Sequence, residues 1–445
     1  MAAHREHNGR TRDVMGLGLA ALSRLAGSRT LERAGLREPV QNLVSAATRR
    51  GFKVAGAASR TFLAAHRRGE ATRPAPAEDT GLFDLTPTEE QQMIVETVGE
   101  FAAEQLRPAA AEADEKLGPP DGLLTRAAEL GVTLIGIPEE LGGAGAQRSV
   151  VTNALVAEAL AHGDLGLAVA VLAPSAVSNA LVLWGDAQQQ ADYLPEFVGE
   201  NVPAAALALL EAKPLFDPFK PATKARRTPA GYQLDGVKSL VPRAAQAELF
   251  IVSADLEGRG PALFLVESSA AGVSVEAEPA MGLRGAATGK LHLRKVSLPA
   301  GALLGGGAPN VFTEAVRLSR LGWAALATGT AKAVLDYVIP YVNERTAFGE
   351  PISHRQAVAF SIADIAIELE GLRLVMLRAA ARAEQGKPFA REVALARKLA
   401  ADKGMRIGSA GVQLLGGHGF VKEHPVERWY RDLRAIGVLE GVVLL

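Results

Sequence analysis

Residues 411–420 read GVQLLGGHGF, and residues 344–352 before them read ERTAFGEPI, with Gln356 following four residues after Ile352. PVER follows at 425–428, YRD at 430–432 and a Glu-Gly pair at 440–441. Each piece alone is a weak signal, because glycines commonly end helices and an arginine after a helix is commonly a surface charge. The order and spacing of all these pieces together form the specific signal in this chain.

Helical patterns flank these motifs and recur in the first part of the chain. The sequence Thr-Pro-Thr-Glu at 86–89 predicts a helix start with Thr86 as the N-cap residue. Apolar spacing predicts further helices up to about residue 200, and long amphipathic stretches predict the last ones at 318–343, 360–384 and 391–415. The apolar run 165–184 has the length of a membrane span, but we expect a helix buried in a bundle, since it contains Pro174 and polar residues.

Between residues 201 and 307 the pattern changes to short apolar runs typical of strands. Residues 231–236 predict a strand that leads into a turn, and 249–253 and 262–267 are runs of strand length. Along 291–298, apolar residues alternate with polar ones and then fall out of phase by one residue. A β-bulge explains that phase change.

Composition excludes several kinds of site. The 445 residues include no cysteine, which rules out disulfides, thiolate zinc sites and cysteine nucleophiles. The net charge of −1 gives no reason to expect nucleic-acid binding, and no histidine pair has metal-binding spacing. Residues 1–77 are basic, with 14 Lys/Arg against 5 Asp/Glu, a net +9. This segment fits an organelle transit peptide or a basic extension that contacts a partner or an anionic membrane.

Together these motifs resemble those of the acyl-CoA dehydrogenases, which are flavin-dependent. Upstream landmarks at 163–164, 193–195, 281–285 and 303–305 extend the resemblance from Leu82 to the C-terminal end. The resemblance implies a mainly α fold with a central β domain. We expect a basic extension and linker at 1–81, an N-terminal helical domain at 82–200, a β-barrel-like middle domain at 201–307 and a C-terminal helical bundle at 308–445.

The resemblance also implies a reaction and its residues. Glu440 would remove the α-proton of an acyl-CoA thioester while the β-hydride passes to FAD, and the Glu440 backbone N–H would stabilise the thioester oxygen. Arg320 and Gly441 would line the substrate cleft. Arg345 would pair with the flavin pyrophosphate. The full cofactor set implied is Arg345, Phe348, Gln356, Gln413, Gly416 and Gly417, reaching the flavin of a neighbouring subunit. No metal site is expected.

The chain departs from the family where its own β domain would hold the flavin ring. The family pattern Y-x-x-T-E-P-x-A-G-S-D corresponds to 207–217, where Leu210 replaces the flavin-bonding threonine and Leu215 and Phe216 replace small residues. The pattern W-I-T corresponds to 240–242, which ends in proline. After Glu440-Gly441 the family's T-S becomes Val442-Val443. The groups lent to a neighbour are intact.

The sequence is therefore compatible with three functions. The first is an active acyl-CoA dehydrogenase in a homo-oligomer, dimer or tetramer, with electron transfer flavoprotein as its acceptor. The second is a partner subunit that completes the flavin site of a related chain. The third is a membrane-associated acyl-CoA binder that uses residues 1–77. The expected location is the cytoplasm or the mitochondrial matrix, with peripheral membrane contact as an alternative.

Overall fold

The computed structural model describes residues 85–145, 147–199 and 201–441. The predicted extension and linker at 1–81 lie outside these residues. The first part of the described chain is helical. Its helices are α1 (Glu89–Phe101), α2 (Arg107–Lys116), α3 (Leu123–Glu129), α4 (Val150–Gly163), α5 (Leu165–Trp184) and α6 (Ala187–Val198). A single π-helical turn, Ala102–Leu106, joins α1 to α2.

The N-cap of α1 lies two residues later than predicted. The Thr88 hydroxyl accepts a hydrogen bond from the Gln91 N–H, and the Gln91 side chain accepts one from the Thr88 N–H. The assignment of Thr86 to this position was wrong. Both threonines precede a suitable N3 residue, Glu89 or Gln91, so the sequence alone offered two equivalent capping boxes.

Helix α5 is the apolar run 165–184, and it is mostly buried inside the fold. It is the one helix in the described part of the chain with the length and composition to cross a membrane. Asp164 caps it by accepting a hydrogen bond from the Leu167 N–H at 3.0 Å. The burial of α5 inside the fold confirms the prediction of a helix buried in a bundle.

The middle part forms a seven-stranded sheet in the order β1-β4-β2-β3-β7-β6, with β5 paired to β4. Its strands are β1 (Ala205–Ala208), β2 (Lys224–Thr228), β3 (Gly231–Val241), β4 (Leu249–Leu256), β5 (Gly260–Glu267), β6 (Val273–Ala277) and β7 (Gly289–Pro299). Pairs β1/β4 and β2/β4 are parallel, and the other pairs in this sheet are antiparallel.

The predicted bulge is present in β7. Leu234 pairs with Val296 and Gly236 pairs with Leu293, so two steps along β3 match three along β7. Lys295 at the bulge has φ of 51°. The predicted turn after 231–236 was wrong, because β3 continues through Gly236. A Cβ at this glycine would lie 2.4 Å from the Thr223 Oγ1, so close packing explains the residue.

Four long or amphipathic helices complete the chain. They are α7 (Pro309–Glu344), α8 (Gln356–Glu384), α9 (Ala390–Leu415) and α10 (Val426–Ala435), and a two-stranded ribbon of β8 (Thr346–Ala347) and β9 (Glu350–Pro351) separates the first two. One buried core joins α1–α5 to α7–α10. Another joins α5 and α6 to β1, β4, β5 and the start of α7. Helices α5 and α7 therefore pack against both other parts and enclose the space between them.

Candidate active site and cofactor groove

Glu440 lies in the turn that follows α10, and its backbone has φ of 59°, the left-handed region. The buried guanidinium of Arg397 on α9 holds this turn. It donates hydrogen bonds to the carbonyl oxygens of Ile436 at 2.7 Å, Gly441 at 2.8 Å and Leu439. Burial lowers the pKa of Arg397 to about 10. One cation thus fixes three backbone carbonyls on the two sides of the candidate base.

The Glu440 carboxylate is 7% exposed, and its two oxygens have different surroundings. Oε1 accepts hydrogen bonds from the Ser319 hydroxyl at 2.9 Å and the Trp323 indole N–H at 3.3 Å, both from α7. Oε2 is buried and has no hydrogen-bond partner in the described chain. Burial raises the pKa of Glu440, while Ser319 and the Arg397 charge oppose that rise. The arrangement suits a carboxylate that accepts a proton at Oε2.

The backbone of Glu440 is held from the other side by Arg320, which is also buried. Its guanidinium donates to the Glu440 carbonyl oxygen at 3.1 Å and stacks over the Phe219 ring at 5.4 Å. The β1–β2 connection also covers Gly441, because a Cβ there would lie 2.5 Å from the Phe216 carbonyl oxygen. Arg320 and Gly441 therefore adjoin the base, but neither residue lines the cavity beside it.

Glu211, at the start of the β1–β2 connection, forms a buried ion pair there. Its carboxylate bonds the Lys238 ammonium at 2.7 Å, the N–H groups of Ala222 and Thr223 at 2.7 and 2.9 Å, and the Thr223 hydroxyl at 2.7 Å. Lys238 also donates to the Ser253 hydroxyl at 2.8 Å. Burial lowers the pKa of Lys238 to about 8, although Glu211 opposes the effect. Glu211 therefore has a structural task.

Glu440 opens into a cavity of about 270 Å³. Helices α4, α5 and α7 form most of its wall, and the lining is mainly leucine, valine, alanine and tryptophan side chains. Such a mostly apolar cavity with a few polar groups is typical of a small-molecule site. Its lining suits an acyl chain placed beside Glu440.

The β-domain wall of the cavity is also apolar. Leu210 and Pro242 line it at the positions where the family pattern has threonines, and Leu240 lines it where the pattern has tryptophan. Ser239, the hydroxyl-bearing residue on this wall, donates its proton to the Glu278 carboxylate at 2.9 Å. Phe216 is buried elsewhere, and Leu215 is 82% exposed. This wall offers no free side-chain donor to a flavin ring.

A separate open groove of about 1020 Å³ lies at the start of α8 and the end of α9. It brings together five of the six predicted cofactor residues: Arg345, Phe348, Gln413, Gly416 and Gly417. The sixth, Gln356, is exposed as the first residue of α8 but does not line the groove. The groove and the cavity share no lining residue. In one chain, Glu440 and the predicted cofactor residues therefore belong to two sites.

The groove is chemically suited to a phosphate-bearing cofactor. Arg345 is exposed and forms no ion pair in the described part of the chain. Gly416 has φ of 57°, and a Cβ at Gly416 or Gly417 would meet only open space, so backbone is accessible there. Phe348 is 94% exposed beside it. An aromatic ring this exposed is typical of a surface that contacts a ligand or another chain.

Three residues of the site were missed by the sequence analysis: Ser319, Trp323 and Arg397. Ser319 and Trp323 are four residues apart and so share one face of α7, which is a detectable signal. Nothing local shows that this face meets Glu440, more than 100 residues later. Arg397 lies in an amphipathic helix, where an arginine ordinarily faces solvent.

Comparisons with known proteins cover nearly all of the described chain. Models of the acyl-CoA dehydrogenase N-terminal, middle and C-terminal domains match residues 88–201, 206–296 and 306–442. The short-chain specific acyl-CoA dehydrogenase of Bos taurus mitochondria is 32% identical over 79% of this chain and 87% of its own length.

Solved structures give the same result. Butyryl-CoA dehydrogenase from Megasphaera elsdenii superposes with a TM-score of 0.76 at 29% identity, over 81% of this chain and 97% of that one. A chain in the structure of the electron transferring flavoprotein of Acidaminococcus fermentans matches with the same score, identity and coverage.

Proposed function

The chain belongs to the acyl-CoA dehydrogenase family, and on that premise we propose that it dehydrogenates an acyl-CoA thioester between the α and β carbons, with Glu440 as the base. The observation that carries this proposal is the Glu440 carboxylate at the apolar cavity. One of its oxygens is fixed by two donors, and the other is buried without a partner. A carboxylate desolvated in this way has its pKa raised toward neutral pH, as a general base requires.

Two groups at position 440 act on the thioester. The Oε2 atom takes the α-proton, while Ser319 and Trp323 keep the carboxylate in position through Oε1. The backbone N–H of Glu440 makes no hydrogen bond within the described residues. It is available to donate to the thioester oxygen as that atom gains negative charge. Arg320 and Arg397 hold the backbone that carries both groups.

The family is flavin-dependent, and a bound flavin supplies its hydride acceptor. The two candidate flavin surfaces of this chain differ in their fit. The groove of Arg345, Gln413, Gly416 and Gly417 offers a cation and accessible backbone, which suit the pyrophosphate end. The cavity wall of Leu210, Leu240 and Pro242 offers the ring no side-chain donor. We therefore derive no hydride step through this chain's own β domain.

The proposal includes an oligomer, because the groove and the Glu440 cavity of one chain share no lining residue. Phe348, Phe360 and Phe420 are 94%, 64% and 88% exposed, which is apolar surface that a second chain would cover. We propose a homo-oligomer, a dimer or tetramer, or a pairing with a related chain. Electron transfer flavoprotein is the proposed electron acceptor. The proposed location is the cytoplasm or mitochondrial matrix, and vesicle co-sedimentation with and without residues 1–77 tests a membrane contact.

The test of the base is Glu440→Gln, which keeps the size and both potential hydrogen-bonding positions of the side chain but cannot take the proton. We expect turnover of short acyl-CoA esters to fall by at least about 100-fold, with thioester binding retained. Glu314→Gln, an acidic residue on α7 outside the cavity, is the matched control. Equal turnover in Glu440→Gln and wild type would eliminate Glu440 as the base.

The apolar β wall supports a second candidate function, a subunit that lends its groove to the flavin of a related chain. Purification of the chain alone decides between the two. A flavin absorbance band with about one flavin per chain supports the active enzyme. A colourless protein that gains flavin and activity only after mixing with a related chain supports the partner subunit. Arg345→Ala would then lower flavin retention in the mixture, whereas Glu440→Gln would not.

A further inference from the structure

The cavity contains a second buried polar atom without a partner, in addition to the Oε2 atom of Glu440. It is the hydroxyl oxygen of Ser175, a residue that is 8% exposed and lines the cavity wall on α5. Among the buried side-chain atoms that lack a partner in the described chain, only these two belong to cavity-lining residues. A buried hydroxyl without a partner costs free energy, so its presence in a ligand cavity suggests a ligand atom that satisfies it.

The local helix does not use the Ser175 hydroxyl. A serine inside a helix commonly bonds a carbonyl oxygen of the preceding turn. Ser178, one turn later, does so by donating to the Ser175 carbonyl oxygen at 3.3 Å, and it does not line the cavity. Ser175 makes no such bond. The two serines share a helix and are both buried, but only Ser175 lines the cavity, and its hydroxyl is unpaired in the described chain.

Two asparagines stand beside Ser175 on the same wall. The Asn179 amide donates to the Ser175 carbonyl oxygen at 2.8 Å, and the Asn153 amide from α4 donates to the Asn179 Oδ1 at 3.1 Å. Gly136 holds Asn179 closely, since a Cβ there would lie 2.5 Å from the amide oxygen. The Oδ1 of Asn153 accepts no hydrogen bond from the described residues. The wall therefore presents a hydroxyl and a fixed amide acceptor.

We propose that Ser175 and Asn153, with Asn179 positioning Asn153, form a subsite for a neutral oxygen substituent on the acyl chain of a CoA thioester. This inference rests on the proposed function, because it requires the cavity to hold the acyl chain. A plain alkyl chain would leave the Ser175 hydroxyl unsatisfied. A hydroxyl on the chain can accept from Ser175 and donate to Asn153. An oxo group can accept from Ser175 only.

The test is direct binding of CoA thioesters measured by calorimetry, which needs neither flavin nor turnover. The probes are hexanoyl-CoA, its hydroxylated forms with the hydroxyl at successive carbons, the matching oxo forms and adipoyl-CoA, which ends in a carboxylate. The proteins are wild type, Ser175→Ala and Asn153→Leu. Ser178→Ala is the control, since it removes another buried hydroxyl from the same helix. Thermal unfolding of each variant checks that it is folded.

We expect at least one oxygen-bearing ester to bind wild type on the order of tenfold more tightly than hexanoyl-CoA. Ser175→Ala is expected to abolish that preference and to bind hexanoyl-CoA at least as well as wild type, while Ser178→Ala keeps the preference. Tighter binding of a hydroxylated ester than of the matching oxo ester, with this difference lost in Asn153→Leu, would show that the ligand hydroxyl donates to Asn153. If the hydroxylated and oxo esters bind equally tightly, and both bind more tightly than hexanoyl-CoA, Ser175 alone makes the contact.

Other outcomes overturn the proposal. If hexanoyl-CoA binds but no oxygen-bearing ester binds more tightly, the subsite is refuted while the proposed function stands. If adipoyl-CoA binds most tightly, the neutral-oxygen assignment is wrong, and Arg148, the cation that lines the same cavity, becomes the determinant. If no acyl-CoA binds, both this inference and the proposed function fail.

Discussion

Removal of the Ser319 hydroxyl should make Glu440 harder to ionise. Ser319 donates to Oε1 at 2.9 Å, and hydrogen bonds to a charged group contribute roughly 1.5 to 3 kcal/mol. Loss of that bond destabilises the carboxylate form relative to the acid. Since one pKa unit corresponds to about 1.4 kcal/mol, Ser319→Ala should raise the titration midpoint of Glu440 by about one unit or more. The sign follows because a hydroxyl donates a stronger hydrogen bond to a carboxylate than to the carbonyl oxygen of the neutral acid.

Trp323 provides the assay. Its indole N–H lies 3.3 Å from the same oxygen, so its fluorescence should respond when Glu440 ionises. The chain has three tryptophans, and Trp323→Phe gives the blank that removes the contribution of this one. Thr328→Val is the matched control, because Thr328 is buried on the same helix but its hydroxyl donates to the Ala324 carbonyl oxygen at 2.8 Å.

The expected result is a fluorescence titration whose midpoint moves to higher pH in Ser319→Ala and stays at the wild-type value in Thr328→Val. In an active preparation, the rising limb of kcat/KM against pH should move by the same amount. A midpoint that does not move, or that moves to lower pH, would refute the assignment of Ser319 as a donor to the ionised base.

Three further outcomes concern stability. Burial and the neighbouring Asp164 raise the pKa of Asp432 to about 8, so the folded chain binds this proton more tightly than the unfolded chain. The contribution of Asp432 to stability should therefore fall as pH rises from about 4 to about 8, so the Tm of Asp432→Asn should rise relative to that of wild type over this range; parallel curves would contradict this. Lys238→Met leaves a buried carboxylate unpaired and should lower the unfolding free energy in urea by about 3 to 5 kcal/mol, with partial recovery when Glu211→Gln is added. Gly441→Ala, at φ of 82°, should lower Tm and turnover together, and unchanged values would show that the covering loop is free to move.

Most of the fold could be predicted because the decisive signals are local or periodic. The out-of-phase apolar residues of β7 predicted a bulge, and the pairing of Leu234 with Val296 and Gly236 with Leu293 confirmed it. Two predictions were wrong: one where two neighbouring residues fit the same capping motif, and one where a glycine is required by close packing and not by a turn. Thr86 and Thr88 both fit a capping box, and Gly236 resembles a turn residue although Thr223 packs against it.

Only the site residues that belong to the sequence motifs could be predicted. They indicated Glu440 and the groove residues, whose placement in one groove follows from short segments around α8 and α9. Ser319, Trp323 and Arg397 act at Glu440 through contacts between distant segments, which local patterns do not encode. The unpaired hydroxyl of Ser175 was equally hidden, because a serine in an apolar helix gives no sign of whether its hydrogen bond is satisfied.

The backbone of Glu440 implies a trade-off at a single residue between folding and chemistry. A non-glycine residue in the left-handed region costs about 1 to 2 kcal/mol, and the raised pKa of Glu440 shows that desolvating this side chain also opposes the charged form. Glycine would remove both costs. A library of this chain screened for heat resistance alone should therefore enrich Glu440→Gly, so thermostability selections need an activity screen beside them or they will recover stable, inactive proteins.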